Sequence, residues 1–261
     1  MSINIKTKEE IKIMIEGGAI LAKILKELSS TVKPGIITKD LNKLAEELVV
    51  KLGAKPAFLN YNGYPTVLCT SVNDEIVHGV PSNRKLVKGD LLKIDMGILY
   101  KDFYTDSAVT VLVGNGPIFN KMPLFDKGIL LKKKLMKVTQ EVLEIGIGQA
   151  RPGNTVGDMG SAIQKYVELR GFNVVRDLIG HGIGRDLHEE PEVPNYGKPG
   201  TGPKLIEGMV IAIEPMVVTG DWKIKEGQDG FVFQTKDGGL AAHFEHTVSI
   251  TEKGPQILTM L

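Results

Sequence analysis

Four carboxylates stand in stretches that otherwise read as apolar or β-forming. Asp95 interrupts Leu91-Leu92-Lys93-Ile94-Asp95-Met96-Gly97, and Glu214 interrupts Met209-Val210-Ile211-Ala212-Ile213-Glu214-Pro215-Met216-Val217-Val218. A carboxylate in so apolar a strand is expensive unless it is paired or bound to a metal. Asp106, in Phe103-Tyr104-Thr105-Asp106-Ser107-Ala108-Val109, and Glu245, in Ala241-Ala242-His243-Phe244-Glu245-His246-Thr247-Val248, open runs of β-formers. Any one of them alone reads as a strand-edge salt bridge or a turn cap. Their placement argues for more, because an internal repeat relates them in pairs. The stretch 86–95 aligns without a gap on 205–214, which sets Asp95 against Glu214. Asp106 and Glu245 correspond more loosely, as the acid on the following hairpin strand. A pseudo-twofold fold would gather all four in one central cleft. Each close pair of like charges costs about 4 kcal/mol there, at an effective dielectric of about 20. Two divalent cations balance four carboxylates, and carboxylate oxygens suit hard or borderline divalent ions.

Of the 5 histidines, three sit beside glycine-rich or charged turns. His181 lies in Ile179-Gly180-His181-Gly182-Ile183-Gly184, where glycines let the backbone pass close to something and aim the imidazole. The Gly-x-Gly-x-Gly spacing is not a dinucleotide fingerprint. His188 lies in Leu187-His188-Glu189-Glu190-Pro191, with no second histidine four residues on, so no zincin helix is present. His78 lies in Val77-His78-Gly79-Val80-Pro81. On its strand His243 shares a face with Glu245 and is a candidate to near the site; His246 points away and reads as structural. Cys69 has no thiolate-activating signature and reads as a buried or pocket-lining thiol. No Gly-x-Ser-x-Gly elbow supplies a serine nucleophile.

The elements that must position these residues repeat as well. Thr7 with Glu10 makes a capping box, and Ile11, Met14, Ile15, Gly18, Leu21, Ala22, Leu25 and Leu28 follow at helical spacing. Leu41, Leu44, Ala45, Leu48 and Leu52 form a second stripe, stopped by Gly53. Residues 128–148 and 156–170 play the same parts in the second half. Pro34-Gly35, Asp40-Leu41 and Gly53 recur as Pro152-Gly153, Asp158-Met159 and Gly171. Strands are expected at 66–72, 91–99, 103–113, 174–178, 209–218, 230–236 and 241–250. Short turns between them favour antiparallel pairing. The expectation is an α+β fold over 1–261, one domain of two pseudo-twofold-related halves, about 7–113 and 128–250. A curved antiparallel sheet carries helices on its outside. The segment 114–127 reads as the linker between the halves.

Composition narrows the function classes. With 42% apolar and 24% charged residues the chain can bury a large core, which excludes a disordered protein. A net charge of +1 leaves no footprint for nucleic acid. The run Lys132-Lys133-Lys134, with Lys137, reads as a solvated helix face. A single cysteine excludes an intrachain disulfide and suits a reducing compartment. No signal-peptide run and no 18-residue apolar span is visible, so the expectation is a cytoplasmic protein away from membranes.

Val77-His78-Gly79-Val80-Pro81, Lys93-Ile94-Asp95-Met96-Gly97, Tyr104-Thr105-Asp106-Ser107-Ala108, Gly180-His181-Gly182-Ile183-Gly184, Leu187-His188-Glu189-Glu190-Pro191, Ile213-Glu214-Pro215-Met216 and Phe244-Glu245-His246-Thr247 resemble, in order, the motif set of type I methionine aminopeptidases. The resemblance covers nearly the whole chain. It implies a pita-bread fold around a dinuclear metal centre and removal of the initiator methionine before a small second residue. Asp95 would chelate one metal, Asp106 and Glu245 would bridge both, and His181 with Glu214 would complete the other's shell. A metal-bridging hydroxide would attack the scissile amide, with Glu214 shuttling its proton. His188 would stabilise the tetrahedral oxyanion and His78 would contact the substrate near the scissile amide. Phe58, Tyr61, Tyr64, Cys69, Leu187 and Phe231 match positions that line the methionine pocket, and the free amine would sit on a metal.

Two positions depart from the family pattern: 187 is commonly aromatic and is Leu187, and 77 is commonly Cys and is Val77. The lack of a zinc-finger extension and of a helical insert before Glu214 points to the compact bacterial type. Proline-specific peptidases share the implied fold but usually carry an additional N-terminal domain. A metal-free binding module on that fold would have lost ligands, and all five are present. One histidine with four carboxylates permits Co, Mn, Fe or Zn. The partners implied are N-terminal Met peptides of nascent chains and a transient ribosome contact, for a monomer.

Overall fold

A computed structural model describes residues 3–114 and 126–261. Most of the expected linker at 114–127 therefore lies outside the described residues. Helix α1 (Lys8–Thr31) starts at Thr7, whose side chain accepts from the Glu10 amide while Glu10 reaches back, the capping box read from the sequence. Helix α2 spans Thr38–Lys51. Helix α3 (Lys127–Gln149) is capped by Asp126, which accepts from the amides of Gly128 and Ile129. Helix α4 (Val156–Glu168) begins at a second capping box, Thr155 with Asp158. The cationic run falls on α3, where Lys133, Lys134 and Lys137 are exposed and Lys132 donates to the Gly89 carbonyl at 2.6 Å. Among the described residues no helix is long and apolar enough to cross a membrane.

The strand Leu91–Tyr100 pairs with Phe103–Leu112 over its full length, from Leu91 opposite Leu112 to Tyr100 opposite Phe103. Phe103–Leu112 then meets Glu245–Thr251, with Ala108 opposite Glu245. Glu245–Thr251 pairs with Val210–Ile213, which leads to Gly180–Gly182 and Glu189–Val193. These strands, with three flanking ones, make a nine-stranded antiparallel sheet. One large apolar cluster packs α1 and α2 on the Leu91–Tyr100 strand, through residues such as Leu21, Leu25, Leu41, Ile94 and Met96. Another packs α3 and α4 on the strands of the other half, through Leu135, Val142, Ile163, Ile211 and Val248. The architecture is the expected α+β one, a curved antiparallel sheet with its helices outside.

Five expected strands are shorter or broken; of 66–72, only Cys69–Val72 is strand. The 209–218 strand splits into Val210–Ile213 and Met216–Val218, because Pro215 has no N–H to give to a ladder. The 241–250 strand splits at Phe244 into Ala241–His243 and Glu245–Thr251, whose partners lie in different sheets. Of 174–178 and 230–236, only Asn173–Val174 and Phe233–Thr235 are strand. Gly180–Gly182 and Glu189–Val193 pair with each other although glycine, proline and glutamate disfavour strands.

Candidate active site

Register brings the acids together. Residues directly opposite in an antiparallel pair project from the same face. Cys69 faces Asp95, Asp95 faces Ala108, and Ala108 faces Glu245, so one row crosses four strands. Asp106 stands two residues from Ala108, on the same face, with Gly97 opposite it. Gly97 carries no side chain, and Phe58, Ala57 and Leu187 close on the space a Cβ there would take. The pairing of His246 with Ile213 ends the ladder one step short of Glu214, whose carboxyl is released toward the same space. His181 is aimed from Gly180–Gly182. A Cβ on Gly182 would come within 2.1 Å of the Glu190 carbonyl, so only glycine allows that approach.

A cavity of about 200 Å³ is lined by every site residue named from the sequence: Phe58, Tyr61, Tyr64, Cys69, His78, Asp95, Asp106, His181, Leu187, His188, Glu214, Phe231 and Glu245. Asn62 is the one further lining residue. No lysine or arginine is among them. Asp106, His181 and Glu245 place their donor atoms within 4.8 Å of one another; Asp95 and Glu214 line the same cavity outside that tight set. Asp95 Oδ1 and Asp106 Oδ1 are buried with no hydrogen-bond partner among the described residues.

Burial pushes the Asp95 carboxyl well above its usual range, and the Asp106 charge adds to this. Asp106 is pushed up to about 7 by burial, against the Ser107 amide, which favours its ionised form. Burial, then the neighbouring acids, raises Glu214 and Glu245 as well. Burial, followed by His188, lowers His181 to about 3, so its ring is neutral. Its Nδ1 lies 2.9 Å from the Gly182 carbonyl, an acceptor, so the proton sits on Nδ1. The Nε2 lone pair then faces Glu214 Oε1 at 3.7 Å. Two acceptors face each other with orphaned carboxylate oxygens nearby, and a divalent cation fits that donor set.

The rest of the cavity is aromatic and aliphatic. Phe58 meets Tyr64 edge-on at 6.5 Å between centroids, and Tyr64 meets Phe231 at 5.4 Å. The Tyr64 hydroxyl lies 3.1 Å from the Gly79 carbonyl, which fixes the ring. Burial, then the Asp95 charge, pushes the Cys69 thiol up, so it is no thiolate nucleophile. Leu187 and His188 share a loop. Tyr61 Oη lies 2.7 Å from His188 Nδ1, and the His188 ring stacks edge-on against His181 at 4.2 Å. His78 takes a left-handed backbone (φ 59°), uncommon outside glycine, which turns its ring into the cavity.

A family model, metallopeptidase family M24, matches residues 12–252. The chain belongs to this family. It is 46% identical over 254 residues to methionine aminopeptidase 1 of Bacillus subtilis, covering 97% of this chain and 98% of that one. It is 44% identical over 259 residues to a methionine aminopeptidase of Clostridium perfringens, covering 99% of each. Among solved structures, methionine aminopeptidase from Thermotoga maritima superposes with a TM-score of 0.92 at 45% identity, covering 100% of both chains. Prolidase from Pyrococcus furiosus gives 0.75 at 26% identity, covering 98% of this chain and 65% of that one.

Within this M24 metallopeptidase, Asn62 is the lining residue the sequence reading missed. Its signal was present: Asn60-Tyr61-Asn62-Gly63 is turn chemistry, and Asn60 and Asn62 both take positive φ. The two histidines of the last strands part company. His246 Nδ1 lies 2.9 Å from Thr259 Oγ1, away from the cavity. His243 is buried with Nε2 3.5 Å from Glu214 Oε2. Lys6 and Glu189, which no sequence signal singled out, form a buried ion pair under the His188 loop.

Proposed function

We propose that the chain is a methionine aminopeptidase, a metal-dependent hydrolase that removes the N-terminal methionine of nascent chains when the second residue is small. The observation that carries this reading is one cavity with an apolar aromatic wall and an adjoining carboxylate–imidazole cluster. Near-full-length likeness to methionine aminopeptidases, against partial coverage of the prolidase, supports it. Asp95, Asp106, His181, Glu214 and Glu245 would hold two divalent cations, with Co, Mn, Fe or Zn selected by availability. Such ions supply Lewis acidity toward the scissile carbonyl and lower the pKa of the attacking water.

The side chains do the rest. Phe58, Tyr61, Tyr64, Cys69, Leu187 and Phe231 take the methionine side chain and exclude water from it. Glu214 holds and passes the proton at its carboxylate. The Tyr61 hydroxyl donates to His188 Nδ1, which leaves the His188 proton on Nε2 as a neutral donor for the developing oxyanion. Burial lowers the His188 pKa, in keeping with that neutral state. His78 contacts the substrate backbone near the scissile amide. The whole chain, 1–261, works as one catalytic unit of two related halves. It acts as a monomer in the cytoplasm, meets the ribosome transiently, and takes no nucleic acid as a partner.

Turnover of Met-Ala-Ser against Pro-Pro-Ala, before and after chelation and with each metal added back singly, tests the reading. Cleavage of Met-Ala-Ser alone, lost on chelation and restored by a divalent ion, is expected. Preference for Pro-Pro-Ala, or activity indifferent to chelation, overturns it.

A further inference from the structure

His243 is a buried imidazole, 1% exposed, whose ring nitrogens are both without a hydrogen-bond partner among the described residues. Buried polar groups are nearly always partnered, so an orphaned imidazole needs an explanation. Its position is not loose. The His243 amide donates to Thr110 Oγ1 at 2.9 Å, and the Thr110 hydroxyl donates to the His243 carbonyl at 2.6 Å. Across the sheet His243 pairs with Met216, two residues beyond Glu214. The strand is fixed a second time at Ala241, whose carbonyl accepts from the buried Lys93 ammonium at 3.2 Å. The ring so held brings Nε2 to 3.5 Å from an acceptor, Glu214 Oε2.

We infer that His243 is a positioning residue for the reaction: its Nε2–H donates to Glu214 Oε2 and thereby fixes which oxygen of Glu214 faces the reacting centre. This rests on the methionine aminopeptidase reading for its catalytic consequence, but not for the contact itself. Tautomer chemistry supports the contact. As a metal ligand Glu214 would be ionised and could only accept, so an imidazole beside it must present an N–H or repel it. The other side of Glu214 meets the opposite arrangement. His181 spends its proton on the Gly182 carbonyl and turns a lone pair toward Oε1. Glu214 therefore lies between a lone pair and an N–H. Oε1 is left for a cation or a proton, and Oε2 is held. A carboxylate tied at one oxygen cannot rotate, which keeps the free oxygen aimed where a proton must be taken and given.

Three readouts test this on the full chain. Nitrogen-15 NMR of the Zn²⁺-loaded protein should show His243 as the Nε2–H tautomer, with that proton shifted on Glu214→Gln. His243→Leu should lower kcat on Met-Ala-Ser about tenfold or more, in line with outer-shell partners of metal sites, with KM nearly unchanged. The same variant should weaken Mn²⁺ binding, measured by calorimetry with the metal alone. His243→Gln, whose side-chain amide can donate from a similar place, should recover most of both losses. An Nδ1–H tautomer, a leucine variant with wild-type kcat and metal affinity, or a glutamine variant no better than leucine overturns the proposal. If the wild type does not cleave Met-Ala-Ser, the functional reading fails, and the tautomer and calorimetry still decide the contact.

Discussion

Lys6 and Glu189 are as deeply buried as Asp106 and Glu245, yet the two groups handle their charge in opposite ways. Each side chain of the Lys6–Glu189 pair is 3% exposed, and the pair is closed on itself. Lys6 also donates to the Asn4 carbonyl, and Glu189 Oε1 accepts from the amides of Arg185 and Asp186. Every strong group there has a partner, and the result is a clamp under the loop that carries Leu187 and His188. The approach is so close that a Cβ on Gly184 would strike the Lys6 side chain. Across the cavity the lining around the carboxylate cluster has no lysine or arginine, and two of the cluster's buried oxygens lack any partner among the described residues. Buried charge of one sign is costly, and structural ion pairs show how readily the fold could have relieved it. The contrast separates a fastening from a site that needs a ligand.

Breaking the cluster should have the largest effect. Asp106→Asn removes one of three donors within 4.8 Å of one another. Bound ions supply several kcal/mol to a transition state, and about 1.4 kcal/mol is a factor of ten, so kcat should fall by about 1000-fold or more. Elemental analysis should show fewer ions per chain. Near-normal turnover at saturating metal would take Asp106 out of the ligand set. On the clamped wall, His188→Ala removes an oxyanion donor, which typically costs about 100–1000-fold in kcat. Bound metal should not change; its loss would make His188 a ligand and blur the two walls.

The clamp itself should matter for stability rather than metal. Lys6→Met leaves the Glu189 carboxylate buried and unpaired, and such removals cost about 3–5 kcal/mol. Urea unfolding should show the loss, and Lys6→Met with Glu189→Gln should recover part of it. Ions per chain should stay at the wild-type value. A variant as stable as wild type would mean that water relieves Glu189 and that the clamp is ornamental.

Titration gives a gentler separation. The Asp106 carboxyl is pushed up to about 7 in the folded metal-free protein, against about 3.9 unfolded. Unfolding between those values releases its proton, so its burden on stability is absent near pH 4 and grows as pH rises to about 7. Metal-free Asp106→Asn should therefore out-melt the metal-free wild type by a margin that widens from pH 4 to pH 7. Buried histidines such as His181, lowered to about 3, push the wild-type curve the other way, so the difference between variants is the readout. A margin independent of pH would mean that Asp106 is already paired without metal.

How much of this was legible beforehand depended on the kind of signal. The acids were legible because a charge inside an apolar strand has few explanations, and the repeat paired them. The helices were legible from their caps at Thr7 and from their apolar stripes. The strands Gly180–Gly182 and Glu189–Val193 were not, since their pairing comes from the sheet beside them and not from local propensity. The Lys6–Glu189 pair joins the chain's start to a loop 183 residues away, and no local pattern marks such a contact. His243 was only half legible: alternation put it on the face of Glu245, but the break at Phe244 decided what it met.

The smallest effect should come from Leu187, which the clamp holds in the cavity wall. Leu187 is 2% exposed and packs with Phe58, Ala57 and Ile183. A Cβ on Gly97 would already lie 2.8 Å from Phe58 and 3.4 Å from Leu187 Cδ1, so this part of the wall is tight against the sheet. A leucine here offers the methionine sulfur no aromatic edge, a contact worth about 0.3–1.5 kcal/mol. Apolar pockets discriminate weakly in any case, by about 1–3 kcal/mol per methylene. The wild type should therefore cleave peptides beginning with leucine or norleucine at a measurable rate. Leu187→Phe should raise the Met-over-Leu ratio of kcat/KM by about 2–10-fold, the range the sulfur–aromatic contact allows. If the ring overpacks the wall, both substrates lose turnover together and Tm falls, with the ratio unmoved. An unmoved ratio at unchanged Tm would remove Leu187 from the surface that reads methionine and leave it as packing beneath His188.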